Sequence, residues 1–204
     1  MGATIPTLES LSDKPVVTSP STLAHIVLQT TQVAIMADFY CTFLGGHVVF
    51  DAPFGTFITY DEEHHRIALI SLPSTIPRVP EASGLQHIAF AFPTLTALLT
   101  AYQQRLKHGI EPHFCVNHGP STSMYYKDPD GNMIETQVDN LDTAEEATRY
   151  MQSEAFAKNP IGVAFKPDEL IEKLRAGASE KDVLGRDDGQ SWGVMKTEDL
   201  EGIF

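Results

Sequence analysis

A repeated four-residue pattern, Leu-x-His-Ile, constrains the fold of this chain more than any other feature. It occurs at residues 23–26 and again at residues 85–88, an offset of 62 residues. The same offset relates Tyr40 to Tyr102 and Leu44 to Leu106. Self-similarity at a fixed period is typical of a duplicated structural unit. We therefore expect the chain to contain two copies of one supersecondary unit.

Each copy has the sequence pattern of a βαβββ unit, judged from apolar alternation for strands and helical spacing for helices. The first copy predicts a strand at 22–29, a helix at 32–44 and strands at 47–52, 54–60 and 65–72. The second predicts a strand at 85–92, a helix at 94–108 and strands at 110–116, 121–128 and 133–139. We predict an α+β fold in which the two βαβββ repeats form one open barrel-like sheet around a metal site. The repeats span about 22–80 and 84–140, within a domain covering 21–142.

Two further segments flank this domain. Residues 1–20 are rich in Pro, Ser and Thr and predict a loosely docked N-terminal arm. Residues 143–204 predict a helical C-terminal extension, with helices over 142–157 and 167–176 and then an extended arm that carries Trp192. The extension has too many apolar positions for a free tail. It is expected to pack on its own barrel or on a neighbouring subunit, and we predict a homo-oligomer.

Composition excludes several partners. The net charge is −13 and the 14 Lys and Arg residues are scattered singly, which argues against nucleic acid or an anionic membrane surface. No apolar run approaches the ~18 residues of a membrane-spanning helix, and the N-terminus lacks the pattern of a signal peptide. Cys41 and Cys115 do not form a C-x-x-C pair, so a reducing compartment is expected. These features predict a cytoplasmic protein.

Residues 121–139 carry the strongest chemical signal. The turn sequence Asp-Pro-Asp-Gly-Asn joins two strand-like runs, and Glu135 falls in the middle of the second run. A carboxylate there is costly to bury unless a positive group meets it. His25 and His87 occupy equivalent positions in the two repeats, and we expect them to point with Glu135 into one concavity. Two imidazoles and one carboxylate form a facial triad with open positions, which suits Fe(II). Mn²⁺, Zn²⁺ and Ni²⁺ are the alternatives.

From about residue 22 to residue 142 the chain resembles the vicinal oxygen chelate superfamily, and within it the extradiol ring-cleaving dioxygenases of catechols and biphenyl diols. The resemblance rests on the paired Leu-x-His-Ile strands and on the run HGPSTSMYYKDPDGNMIE at 118–135. It implies that His25, His87 and Glu135 are metal ligands and that Tyr125 hydrogen-bonds the substrate. Extradiol enzymes carry an acid–base histidine at the place of Val116, so His118, two residues later, is assigned the role of proton shuttle.

This resemblance implies an Fe(II)-dependent extradiol-type dioxygenase that uses O₂ and a catechol-like or polyphenolic aromatic substrate. Phe54, Phe57 and Phe90 are expected to hold the ring. A second acid–base histidine of extradiol enzymes falls at Leu72/Pro73 and has no counterpart here.

Two alternatives stay open. One is a redox-neutral metal-dependent isomerase, lyase or hydrolase that works through an enolate, which the missing histidine favours. The other is a non-enzymatic scaffold with a partner-binding arm. A four-ligand glyoxalase site is disfavoured because the repeat offset maps Glu135 onto Pro73, and residues 66–75 contain no carboxylate. Binding-only resistance proteins generally lack the metal set that this chain retains, so that reading is disfavoured as well.

Overall fold

The computed structural model of the chain describes residues 17, 19–80 and 82–186. The first repeat consists of β1 (Ile26–Gln29), α1 (Val33–Leu44), β2 (His47–Ala52), β3 (Gly55–Thr59) and β4 (Ile67–Ile70). The second consists of β5 (His87–Ala91), α2 (Leu95–Leu106), β6 (Phe114–Asn117), β7 (Ser121–Lys127) and β8 (Met133–Asp139). The α+β class and the two βαβββ units are confirmed.

The strands form two mixed sheets with the same internal order. The first sheet has the order β1-β4-β3-β2, and the second has the order β5-β8-β7-β6, with one further strand beside β6. In each sheet the opening strand runs parallel to the last strand of its repeat, and the other neighbours are antiparallel. One open sheet was expected, whereas among the described residues no backbone ladder joins β1 to β5. The opening strands pair with β4 and β8 instead.

One core holds the two repeats together. It contains buried residues from α1, α2 and both sheets, among them Met36, Tyr40, Leu98 and Ile134. The two helices meet near their C-terminal ends through Phe43 and Arg105, which are related by the repeat offset of 62. The guanidinium carbon of the buried Arg105 lies 3.9 Å from the centre of the Phe43 ring. Its Nε also donates to the Phe43 carbonyl oxygen at 2.9 Å. A cation–π contact and a hydrogen bond thus join equivalent points of the repeats.

Up to residue 186, where the described part of the chain ends, the C-terminal extension adds four short helices and one strand. They are α3 (Ala144–Met151), α4 (Glu154–Lys158), β9 (Val163–Ala164), α5 (Pro167–Arg175) and α6 (Glu180–Leu184). The single helix expected over 142–157 is wrong, because the Ser153 hydroxyl accepts from the Phe156 amide and begins a new helix. Helix α6 stands where the extended arm was expected to begin.

Other predictions fall outside the described residues. They concern Trp192 with the rest of 187–204, and residues 1–16 and 18 of the N-terminal arm.

A strand pairing and a helix cap are among the contacts that attach the extension to the second repeat. Val163 of β9 pairs with Asn117 of β6, which extends the second sheet by one strand. The Glu180 carboxylate accepts hydrogen bonds from the amides of Leu95 and Thr96, at 3.0 and 2.9 Å, and so caps the start of α2. In the part of the chain that the structure describes, no helix is long and apolar enough to cross a membrane.

Candidate active site

The second sheet has two faces with different surroundings. Met124, Tyr126 and Ile134 lie on the face that belongs to the core. Because side chains alternate along a strand, Tyr125 and Glu135 lie on the opposite face. The two residues stand directly across from each other in the β7–β8 pairing. This second face is the one that carries the candidate site.

The turn before β8 is built around the carboxylate of Asp128. Its oxygens accept from the amides of Asp130 and Asn132, at 3.0 and 2.8 Å, and from the Asn132 side chain at 2.8 Å. The Tyr40 hydroxyl of α1 donates to the same carboxylate at 3.0 Å. Gly131 has φ 82°, a left-handed conformation that favours glycine. The turn thus determines where β8 begins, and with it the position of Glu135.

His87 and Glu135 form the centre of the site. The His87 Nε2 lies 2.9 Å from Glu135 Oε2, and the Glu135 residue is only 5% exposed. The other ring nitrogen of His87, Nδ1, contacts the side-chain oxygen of Gln86. An amide oxygen accepts hydrogen bonds, so Nδ1 is the donor in this contact, and Nε2 is the nitrogen directed at Glu135. A partner of this kind on the second nitrogen is typical of histidines that bind metals.

Tyr125 and His118 lie beside this pair. The Tyr125 hydroxyl is 2.9 Å from His118 Nε2, and the Tyr125 ring meets the His87 ring edge-on at 5.6 Å. Burial lowers the pKa of His118. Burial and the neighbouring Glu135 carboxylate raise the pKa of Tyr125. A neutral imidazole and a protonated phenol are therefore favoured at neutral pH, and His118 Nε2 and the Glu135 carboxylate are the two acceptors within reach of the phenol hydrogen.

His25 lies apart from these four residues. It is exposed, and its ring neighbours are His65 at 4.3 Å and His64 at 6.5 Å between ring centres. Across the described residues, no group of three or more His, Cys, Asp and Glu side chains is arranged to hold a metal ion. The structure therefore brings His87, Glu135, Tyr125 and His118 together but does not bring His25 to them.

A cavity nevertheless connects the two repeats next to the site. Its volume is about 470 Å³. Val27 and Gln29 of β1, which share a strand face with His25, line it from one side, and His87 and Met133 line it from the other. The strand face that carries His25 and the centre of the site thus border the same space.

The three phenylalanines that were expected to hold the substrate ring lie in different places. Phe54 and Phe57 pack against each other, and Phe57 also stacks on His65 at 4.9 Å. Phe90 lies on the strand face opposite His87 and contacts Tyr60, so the expectation that it faces the site is wrong. His65, which the sequence patterns did not single out, is half-buried. The parallel pairing of Ile26 with Ile67 brings His65 next to His25. The predicted strands of the first repeat were the sequence feature from which this contact could have been expected.

The family model described as the Glyoxalase/Bleomycin resistance protein/Dioxygenase superfamily matches residues 22–136. The chain belongs to this superfamily. Two curated relatives from Rhodococcus globerulus are similar over nearly the whole chain. Biphenyl-2,3-diol 1,2-dioxygenase 2 is 44% identical over 90% of this chain and 95% of its own length. Biphenyl-2,3-diol 1,2-dioxygenase 3 is 47% identical over 87% of this chain and 92% of its own length.

A solved structure supports the fold of this superfamily member. The glyoxylase/bleomycin resistance protein/dioxygenase domain from Frankia sp. EAN1pec superimposes with a TM-score of 0.52 at 16% identity. The match covers 98% of that domain but 63% of this chain. The Rhodococcus relatives instead align over so much of this chain that most of its C-terminal extension is included. The extension is thus an addition that these relatives share and the Frankia domain does not.

Proposed function

We propose that this protein is an Fe(II)-dependent extradiol-type dioxygenase that opens the ring of a catechol-like or polyphenolic aromatic with O₂. The observation that carries the proposal is the pair of half-buried His87 and buried Glu135, with Tyr125 and His118 beside it. A metal-ligating pair next to a proton donor and a proton acceptor is what a diol substrate requires. The two Rhodococcus relatives, by name biphenyl-2,3-diol dioxygenases, support the substrate class and the reaction.

The proposed metal ligands are His25, His87 and Glu135. The 2.9 Å between His87 Nε2 and Glu135 Oε2 suits two adjacent ligands of one ion, since two bonds of ~2.1 Å at a right angle end about 3 Å apart. Imidazole and carboxylate together favour Fe(II), with Mn²⁺, Zn²⁺ and Ni²⁺ as alternatives. When bound, the metal supplies Lewis acidity that stabilises the anionic diolate. The separation of His87 and Glu135 thus suits one ion. His25 has to approach them to complete the proposed set of ligands.

The other residues of the site handle protons and orientation. His118 Nε2 accepts a proton from one diol hydroxyl as the substrate binds, and its neutral state suits this role. Tyr125 donates a hydrogen bond to a substrate oxygen and helps to orient the ring. One diol and one O₂ give one ring-opened product, in which a carbon–carbon bond beside the hydroxyls is broken and both oxygen atoms are retained. Atoms and electrons therefore balance without a further reductant.

A homo-oligomer is part of the proposal. Val48, Val49, Phe50 and Phe54, on β2 and directly after it, are all between 44% and 53% exposed. A second copy of the chain is a natural cover for this apolar surface. His25 reaches the His87–Glu135 pair either across the cavity within one chain or from such a second copy.

Mixing two variants distinguishes these routes. His25→Ala and Glu135→Ala should each lower Fe(II) occupancy at least tenfold, measured after anaerobic loading. Losing even a residue that only supports a metal ligand typically lowers metal affinity by that factor. His108→Ala is the control, since His108 follows α2 away from the site. If copies share the site, refolding the two defective variants together restores part of the Fe(II) binding. If each chain supplies all three ligands, the mixture stays as defective as its components. Full occupancy in Glu135→Ala would remove this residue from the ligand set.

A redox-neutral metal-dependent isomerase, lyase or hydrolase is the second candidate. It is favoured by one observation, the absence of an acid–base histidine at Leu72/Pro73, where extradiol enzymes have one. Such an enzyme would use the metal to stabilise an enolate and would turn over without O₂.

A cytoplasmic location also stays a prediction, and the free thiols of Cys41 and Cys115 agree with it.

A further inference from the structure

The loop that carries His118 is held by the C-terminal extension at several separate points. The Arg186 guanidinium donates to the His118 carbonyl oxygen at 3.0 Å. The Asn117 side-chain amide donates to the Leu184 carbonyl oxygen, also at 3.0 Å. The ring Nδ1 of His118 contacts the Ile161 carbonyl oxygen. The backbone and the ring of His118 are therefore both attached to residues that come more than forty positions later in the chain.

Glycines allow the extension to approach this loop closely. Gly119 has φ 98°, and a β-carbon there would overlap the ring of Tyr150 on α3. Gly162 has φ 120°, and a β-carbon there would overlap the carbonyl oxygen of Asn117. The Asn159 side chain holds Gly162 in place by accepting from its amide at 2.9 Å and donating to its carbonyl at 3.1 Å. Such close approach of two backbones is what glycine permits.

The contact with Ile161 determines which nitrogen of the His118 ring carries hydrogen. A carbonyl oxygen only accepts hydrogen bonds, so the His118 Nδ1 must be the donor. In the neutral ring the lone pair is then on Nε2, which faces the Tyr125 hydroxyl at 2.9 Å. The opposite tautomer would leave the Ile161 carbonyl facing a lone pair and would give Nε2 a hydrogen. Only the first tautomer can accept a proton on the side of the site.

We propose that the C-terminal extension acts as a positioning element for His118, with the Ile161 carbonyl selecting the Nδ1–H tautomer and Arg186 holding the loop. The catalytic consequence rests on the proposed function, in which His118 Nε2 accepts the substrate proton. The Frankia domain has the two repeats without a matching extension, so the fold itself does not require the extra segment. The extension is therefore an addition to the two repeats, and its contacts with the His118 loop give it this positioning role.

The test is the tautomer of His118 in the full-length, metal-free protein, read by ¹⁵N NMR of the imidazole nitrogens. The wild type should show the Nδ1–H form. Gly162→Ala should push the 161–162 peptide away from His118 and give a mixture of tautomers. Gly177→Ala is the matched control, because Gly177 also has a left-handed φ of 96° but would place its β-carbon in open space. Assigning the His118 signals needs only comparison with a His118→Ala spectrum.

Arg186→Met provides a second variant in case Gly162→Ala does not fold. It should loosen the His118 backbone and broaden or shift the same signals, whereas Arg175→Met, an exposed residue at the end of α5, should not. An Nε2–H form in the wild type overturns the proposal, as do His118 signals that stay unchanged in both Gly162→Ala and Arg186→Met.

Turnover separates this proposal from the proposed function. A misplacement of about 1 Å at a catalytic group costs on the order of 100-fold in rate, so Gly162→Ala should lower kcat strongly and change KM little. If the tautomer changes while kcat stays at the wild-type value, the positioning role stands and the assignment of His118 as proton acceptor is wrong.

Discussion

The Tyr125 hydroxyl is the side-chain group whose removal tests the site most cleanly. It lies 2.9 Å from His118 Nε2, on a residue that is 4% exposed. Burial, reinforced by the Glu135 carboxylate, raises the pKa of Tyr125, so the hydroxyl keeps its proton at neutral pH and acts as a donor. Tyr125→Phe removes only this oxygen. The ring remains, with its stacking on Phe114 at 4.3 Å.

The expected loss follows from the hydrogen bond. A hydrogen bond to a charged group contributes about 1.5–3 kcal/mol. If Tyr125 donates to the anionic substrate in the transition state, kcat/KM should fall about 10- to 150-fold, since each 1.36 kcal/mol is tenfold. The free energy of unfolding should fall by only about 1 kcal/mol, because His118 Nε2 loses one partner. In a domain of this size that corresponds to a decrease in Tm of about 2–4 °C.

The adjacent tyrosine provides a matched control for this assay. Tyr126 lies on the opposite face of β7, fully buried in the core with its ring 5.0 Å from that of Phe43. Tyr126→Phe should therefore change Tm and leave kcat/KM near the wild-type value. Steady-state rates at saturating O₂ and thermal unfolding of both variants complete the comparison. Equal losses of kcat/KM in the two variants, or no loss in Tyr125→Phe, would refute the assignment of Tyr125 to the site.

Two further predictions concern the attachment of the extension and the contact between the repeats. Burial acts to raise the pKa of Glu180, but hydrogen bonds from Thr96 and Leu95 outweigh it and hold the pKa below its usual range. A lowered carboxyl pKa stabilises the fold above the unfolded-state value and loses this effect as the pH falls through the folded one. Glu180→Gln should therefore lower the free energy of unfolding by about 1 kcal/mol at pH 7, with the difference from wild type shrinking in acid, while the exposed Glu172→Gln shows no such trend. Arg105→Lys should cost about 2 kcal/mol in denaturant unfolding, because an ammonium cannot both stack on Phe43 and donate to its carbonyl with the geometry of a guanidinium. Arg175→Lys is the control, and equal stability of the two lysine variants would contradict the importance of this contact.

The repeat made most of the fold predictable. Because Leu23–Ile26 and Leu85–Ile88 are equivalent, assigning one βαβββ unit assigned the other, and the two sheets have the same strand order. The turn after Asp128 was recognisable from its proline and glycine, and strand alternation from that turn places Glu135 on the face away from the core. These signals come from neighbouring residues or from a fixed repeat, so sequence periodicity is enough to detect them.

Long-range contacts account for what the sequence did not predict. Ile161 and Arg186 touch His118 only because β9 and the end of α6 return to the second sheet, and no periodic pattern links such distant positions. His65 meets His25 through the parallel β1–β4 pairing. Ser153 interrupts the expected helix through a local capping bond that competes with helix continuation.

Oxygen incorporation tests the proposed dioxygenase activity most directly. Protein purified without air and loaded with Fe(II) would be mixed with catechol or biphenyl-2,3-diol under ¹⁸O₂, and the product analysed by mass spectrometry. The proposal predicts one O₂ consumed per diol and two ¹⁸O atoms in each ring-opened product, with both lost in His87→Ala. Fe(II)-loaded protein that consumes no O₂ with any diol, yet transforms a substrate without air, would contradict the dioxygenase proposal and establish the redox-neutral enzyme in its place.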